Sequence, residues 1–150
     1  MKPYAYAIYC DDIRQEISGK VTLVGTYTGS LLVRSFPVTL PKLCLALNVV
    51  TPVEGSFGDL KIRITHNEVV IAEGGMTAPD LHAAFAATRN CGDDNPSNDG
   101  RQLLAGFHFI FSPIRLEEPG RIRVHVEAGG EEFKANALRI EQLDEADAAN

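Results

Sequence analysis

Residues 60–71 read LKIRITHNEVVI. Leu60, Ile62 and Ile64 alternate with Lys61, Arg63 and Thr65, the period of two that sets successive side chains on opposite faces of a strand. His66-Asn67 follows, and Val69-Val70-Ile71 resumes the apolar run. Asn tolerates the positive φ of a tight hairpin turn. The stretch is expected to be a β-hairpin with an apolar face turned inward and a polar face turned to water.

The same pattern extends in both directions. Upstream, residues 4–10 (YAYAIYC), 21–28, 31–36 and 42–50 read as strands, and Pro37 and Pro41 bracket an edge or crossover because proline cannot donate to a ladder. Downstream, Leu103, Ala105, Phe107, Phe109 and Phe111 share one side of a strand ended by Pro113. That strand is the heaviest in the chain and is expected to be central. Glu118-Pro119-Gly120 turns the chain, and Ile122, Val124 and Val126 then alternate with Arg121, Arg123, His125 and Glu127. Gly129-Gly130 closes a second hairpin leading into Phe133 through Ile140, where the apolar phase slips by one residue, as at a bulge. Thr77-Ala78-Pro79-Asp80 has the form of a helix start, which predicts one short helix near 78–88, with Leu81 and Phe85 on its packed stripe.

These readings give eight or nine strands and one helix. The fold class is all-β, a two-sheet antiparallel β-sandwich, because one face of each strand is polar. An immunoglobulin-like, C2-like or jelly-roll order is left open. The 150 residues, 45% hydrophobic and 23% charged, are ordinary for one globular domain. A single domain is expected over 1–142, followed by an acidic, disordered tail over 143–150.

The net charge is −6, and it is unevenly placed. Glu141, Asp144, Glu145 and Asp147 crowd the last ten residues without a base among them, so the body is close to neutral. Neither nucleic acid nor an anionic membrane suits such a charge pattern, since both need a clustered basic excess. No apolar run approaches the length of a spanning helix, and the opening Met1-Lys2-Pro3-Tyr4 is not a secretory signal. The three widely spaced cysteines, Cys10, Cys44 and Cys91, read as free thiols of a cytoplasmic protein.

Chemistry is sparse. His66, His82, His108 and His125 include no pair at i, i+2 or i, i+4, the spacings of a local two-histidine metal site. The cysteines lack a CxxC pattern, and neither a phosphate-cradling GxxxxGK nor a GxSxG is present. Asp93, Asn95, Ser97 and Asp99 alternate ahead of Gly100 and imitate the start of a Ca²⁺ loop, but Leu104 stands near the place of the usual closing Glu. A plain solvated loop has the same composition. Asp11, Asp12 and Glu16 form a second acidic group around Arg14, read as a solvated loop with ion pairs inside it. The third feature is the outward face of the two hairpins, Lys61 and Arg63 on one, Arg121, Arg123 and Lys134 on the other. If both lie in one sheet they form a basic stripe on an acidic protein, although charge turned to water is also what solubility asks of a sheet.

The run Cys10-Asp11-Asp12-Ile13-Arg14-Gln15-Glu16 with Gly19-Lys20-Val21-Thr22-Leu23-Val24-Gly25-Thr26-Tyr27 resembles the opening of a family of small bacterial and phage-associated proteins of unknown function. Phe36-Pro37, Leu40-Pro41-Lys42-Leu43 and the Glu118-Pro119-Gly120 turn fit the same resemblance, from residue 3 to about residue 141. It implies a β fold and a bacterial or phage origin, and it transfers no catalytic residue.

The resulting expectation is a non-enzymatic binding or adaptor domain whose partner is a protein, a second copy of itself included, with no cofactor. Two other readings stand beside it: a calcium- or small-ligand-binding module using the 93–99 loop, and a hydrolase whose site is assembled from distant histidines and carboxylates.

Overall fold

Strands with one greasy face can hide it only against a second layer, and this chain builds two. The computed structural model describes residues 2–52, 58–89 and 102–144. In chain order the elements are β1 (Tyr4–Gln15), β2 (Val21–Thr26), β3 (Ser30–Val33), β4 (Val38–Leu40), β5 (Leu43–Pro52), β6 (Leu60–His66), β7 (Val69–Met76), α1 (Ala78–Arg89), β8 (Gln102–Phe111), β9 (Ile114–Leu116), β10 (Gly120–Ala128), β11 (Glu131–Lys134) and β12 (Leu138–Gln142). One sheet has the order β2-β1-β5-β8; the larger has β3-β12-β10-β6-β7, with β11 also paired to β10. β4 and β9 form a small separate ladder. The fold is the all-β sandwich that the alternation implies, antiparallel except where β12 runs parallel to β3.

The core lies between the sheets. Leu43, Leu45, Leu47 and Val49 of β5 meet Leu60, Ile62 and Ile64 of β6, Ile122, Val124 and Val126 of β10, and Leu138 and Ile140 of β12. Each such side chain contributes about 1.5–3 kcal/mol by leaving water. Leu60, Ile62 and Ile64, and Ile122, Val124 and Val126, all point into this layer, so Lys61, Arg63, Arg121 and Arg123 must point out of it.

The hairpin of residues 60–71 forms as read, with Asn67 (φ 49°) and Glu68 (φ 69°) in the turn. The helix also forms. Thr77 Oγ1 accepts the Asp80 N–H at 3.4 Å, and Asp80 accepts from the Thr77 hydroxyl at 2.8 Å rather than from its N–H. Asp59 caps the Ala78 N–H at 2.9 Å. Leu81 is buried in the core; the side chain of Phe85 lies outside the described set.

Three expectations are corrected. The strand over 102–111 is not central: β8 has β5 on one side and no neighbour on the other among the described residues. The central place belongs to β5, which is buried along nearly its whole length on both faces. The phase slip after Phe133 is not a bulge but a break at 135–137 between β11 and β12, which both pair with β10. Asn136 sits in the break and ties it to the other sheet: its Oδ1 accepts the Ala7 N–H at 2.7 Å and its Nδ2 donates to the Ala7 carbonyl at 2.9 Å. Last, Asp11, Asp12 and Arg14 do not lie in a loop, because β1 runs on through Gln15 to pair with β2. Of the acidic tail, residues 145–150 lie outside the described set.

Candidate functional site: the outer face of the larger sheet

β6 and β10 are neighbours in the larger sheet, so the two basic groups singled out from sequence share one face. Their register is Lys61 opposite Glu127, Arg63 opposite His125 and Thr65 opposite Arg123. On the flanks, Lys134 of β11 lies opposite His125 and Arg139 of β12 opposite Arg121, while Glu73 of β7 lies opposite Arg63. One row therefore crosses four strands as Lys134, His125, Arg63 and Glu73.

Two shallow grooves meet at His125. One, of roughly 530 Å³, is bordered by Thr65, Asn67, Arg121, Arg123, His125 and Lys134. The other holds Lys61, Arg63, Glu73, Glu127 and Glu132 with the same histidine. The first is basic apart from Glu68 at its rim; the second is mixed. Arg63 approaches Glu132 at 3.9 Å and Arg139 approaches Glu141 at 3.4 Å. Among the described residues the ion pairs leave Lys61, Arg121, Arg123 and Lys134 unengaged. All four point to water from one side of the sheet.

His125 is half-buried in this face. Its Nε2 lies 3.3 Å from the Thr65 hydroxyl, and its Nδ1 is shut from water without a hydrogen-bond partner. Partial burial, then the Arg63 and Lys134 cations, hold its pKa below the ordinary imidazole value, against the opposing pull of Glu132. A neutral ring at pH 7 follows. Burial likewise depresses His66, although Glu118 opposes it.

The groove brings His125 beside Glu73, Glu127 and Glu132, an acid–histidine neighbourhood of the kind a hydrolase would need. The ring, however, bonds Thr65 and, among the described residues, no carboxylate, unlike the acid–histidine pair of a catalytic triad. His108 stands apart on the other sheet, 3.4 Å from Gln15 Nε2. His125, Thr65 and Arg139 were not singled out from sequence as members of this face. Arg139 was legible, because it alternates between the buried Leu138 and Ile140.

The remaining candidates fall elsewhere. Asp93, Asn95, Ser97 and Asp99, and with them Cys91, lie outside the described residues. Among the described residues no group of three His, Cys, Asp or Glu side chains could hold a metal ion. Cys10 and Cys44 are free, buried and opposite each other across β1 and β5. Burial raises both thiols; the neighbouring Cys44 adds to this at Cys10, while the Lys42 cation opposes it at Cys44. The acidic group holds one ion pair within its own segment, Asp12 with Arg14 at 3.7 Å, and otherwise reaches beyond it: Asp11 accepts from the Tyr27 hydroxyl, Asp12 pairs with Lys42 at 2.5 Å, and Glu16 accepts from Thr22 at 3.0 Å.

Among the described residues no helix is long and apolar enough to cross a membrane. No curated protein matches the chain in sequence. It matches the family of unknown function DUF6941 over residues 5–141, nearly its whole length, and it belongs to that family.

Proposed function

We propose that this chain is a non-catalytic binding module that presents the outer face of its larger sheet to an acidic segment of a protein partner. One observation carries the reading. The β6–β10 pairing gathers cations from segments about sixty residues apart onto a single face of a chain whose net charge is −6. Arg121, Arg123 and Lys134 have no carboxylate of their own among the described residues, so an incoming carboxylate meets unengaged donors. Arginine adds a planar fork that matches a carboxylate with two parallel hydrogen bonds. The groove is shallow and edged by strands, which suits an extended peptide better than a small enclosed ligand. A bacterial or phage setting and a cytoplasmic place remain part of this reading.

Calorimetric titration with an oligo-glutamate peptide tests it. Saturable binding that weakens as salt rises, and is lost in the charge-reversal variant R121E/R123E/K134E with an unchanged melting temperature, supports the reading. Equal binding by that variant, or none by the unaltered protein at low salt, overturns it.

A further inference from the structure

β8 is the strand whose sequence reads as interior and whose place, among the described residues, is an edge. Its ten residues, QLLAGFHFIF, contain no Asp, Glu, Lys, Arg or Pro. Proteins normally blunt such edges with charge, proline, brevity or a bulge. The other edges here follow that habit. β3 and β11 have four residues each, and β11 carries Glu131, Glu132 and Lys134. β2 is bent by Gly25 at φ +68°, while β7 carries Glu73 and a register shift against β6. β8 has none of these devices. Among the described residues, the roughly 30 Å of strand from Leu103 to Phe111 has a row of backbone N–H and C=O groups, about four or five of each, with no partner strand on its outer side. Beside them, Leu104 and Ile110 are 52% and 55% exposed on the outer face.

We infer that β8 pairs antiparallel with β8 of a second copy of this chain, joining the two smaller sheets into one of eight strands. A two-fold axis through Phe107 gives a self-complementary register. It sets Leu104 opposite the partner's Ile110, so the two exposed large apolar side chains of β8 cover each other. It also sets Gly106 opposite the partner's His108 and Ala105 opposite the partner's Phe109, small against large on both faces. The lack of formal charge along β8 matters for this occupant in particular. Two copies of a chain with net charge −6 repel, and a strand free of Asp, Glu, Lys and Arg is where they can approach without like charges meeting. This surface belongs to the smaller sheet and is separate from the basic face.

Light scattering on a size-exclusion column over a dilution series tests the inference, together with L104K and I110K. Both residues are exposed, so the variants keep the fold, which circular dichroism checks. The expected result is a dimer for the unaltered chain and a monomer for each lysine variant. The register is tested by cysteines in a C91S background. L104C/I110C should cross-link two copies under mild oxidation by a low-molecular-weight disulfide, and L104C alone should not. A monomer at millimolar concentration overturns the inference. So does a dimer dispersed by R121E/R123E but not by L104K, or a cross-link formed by L104C alone.

Discussion

Asn67 clasps the turn that carries Gly120. Its Oδ1 accepts the Arg121 N–H at 3.1 Å, and its Nδ2 donates to the Pro119 carbonyl at 2.9 Å and to Glu118 at 3.2 Å. A Cβ on Gly120 would run into Asn67 Oδ1. The tip of the β6–β7 hairpin thus fixes the entry into β10, the strand that bears Arg121 and Arg123 of the basic face.

That clasp gives the first prediction. Asn67→Ala removes three hydrogen bonds and should cost about 1–3 kcal/mol. Gly120→Ala displaces the same side chain and should cost a similar amount. The two act on one network, so the double variant should fall well short of their sum. Urea denaturation of the four proteins reads the coupling directly; full additivity would mean that Asn67 and Gly120 are independent.

Core position should dominate over composition. Leu47, 1% exposed in β5, should cost about 2–5 kcal/mol when cut to Ala. Ile17, 88% exposed beside the β1–β2 connection, should stay within about 0.5 kcal/mol under the same change. Denaturant midpoints compare the pair.

Acid should weaken the fold in two separate windows. His66 and His125 sit below the ordinary imidazole value of 6.5 in the folded chain. Between those depressed values and 6.5 the unfolded chain binds more protons. Stability is therefore complete above that window and declines as pH falls through it. Asp12 acts in the same sense at lower pH: Lys42 holds its carboxyl below the ordinary 3.8. Its contribution is present above 3.8 and is lost as pH falls through the lower folded value. Melting curves against pH should show both declines, with the upper one reduced in H125Q and H66Q and the lower one reduced in D12N. An upper decline of undiminished size in H125Q/H66Q would place its origin elsewhere.

Cys10 and Cys44 are wholly buried with raised thiol pKa values, and the thiolate is the reactive form. In a C91S background a thiol reagent should label the native protein only as fast as it opens, and should label it at once in denaturant. Rapid labelling under native conditions would show that the outer side of β1 and β5 is open to solvent.

Much of this architecture was legible because alternation is a local signal. Leu60, Ile62 and Ile64 against Lys61 and Arg63 give a strand, its inner face and its outer face from five adjacent letters. Neighbourhood is not local. β8 reads as interior because Phe107, Phe109 and Phe111 are heavy, yet heaviness records one buried face and does not say whether both ladder sides are filled. β5, buried on both faces, was the better candidate for the centre: Cys44, Ala46 and Val50 fill its second face alongside the leucines. The basic residues could be named from sequence, but their union depends on β6 pairing with β10, a contact across about sixty residues that no local pattern encodes. His125 joined the site for the same reason, through Arg63 on one side and Lys134 on the other.

The central claim is that recognition takes place on the outer face of the larger sheet. Backbone amide chemical shifts of isotope-labelled protein, followed during titration with an oligo-glutamate peptide, test it most directly. The account predicts shifts concentrated at Arg63, Arg121, Arg123, His125 and Lys134, shrinking as salt is added. Shifts confined to β1, β2, β5 and β8, with β6, β10 and β11 unmoved, would contradict it.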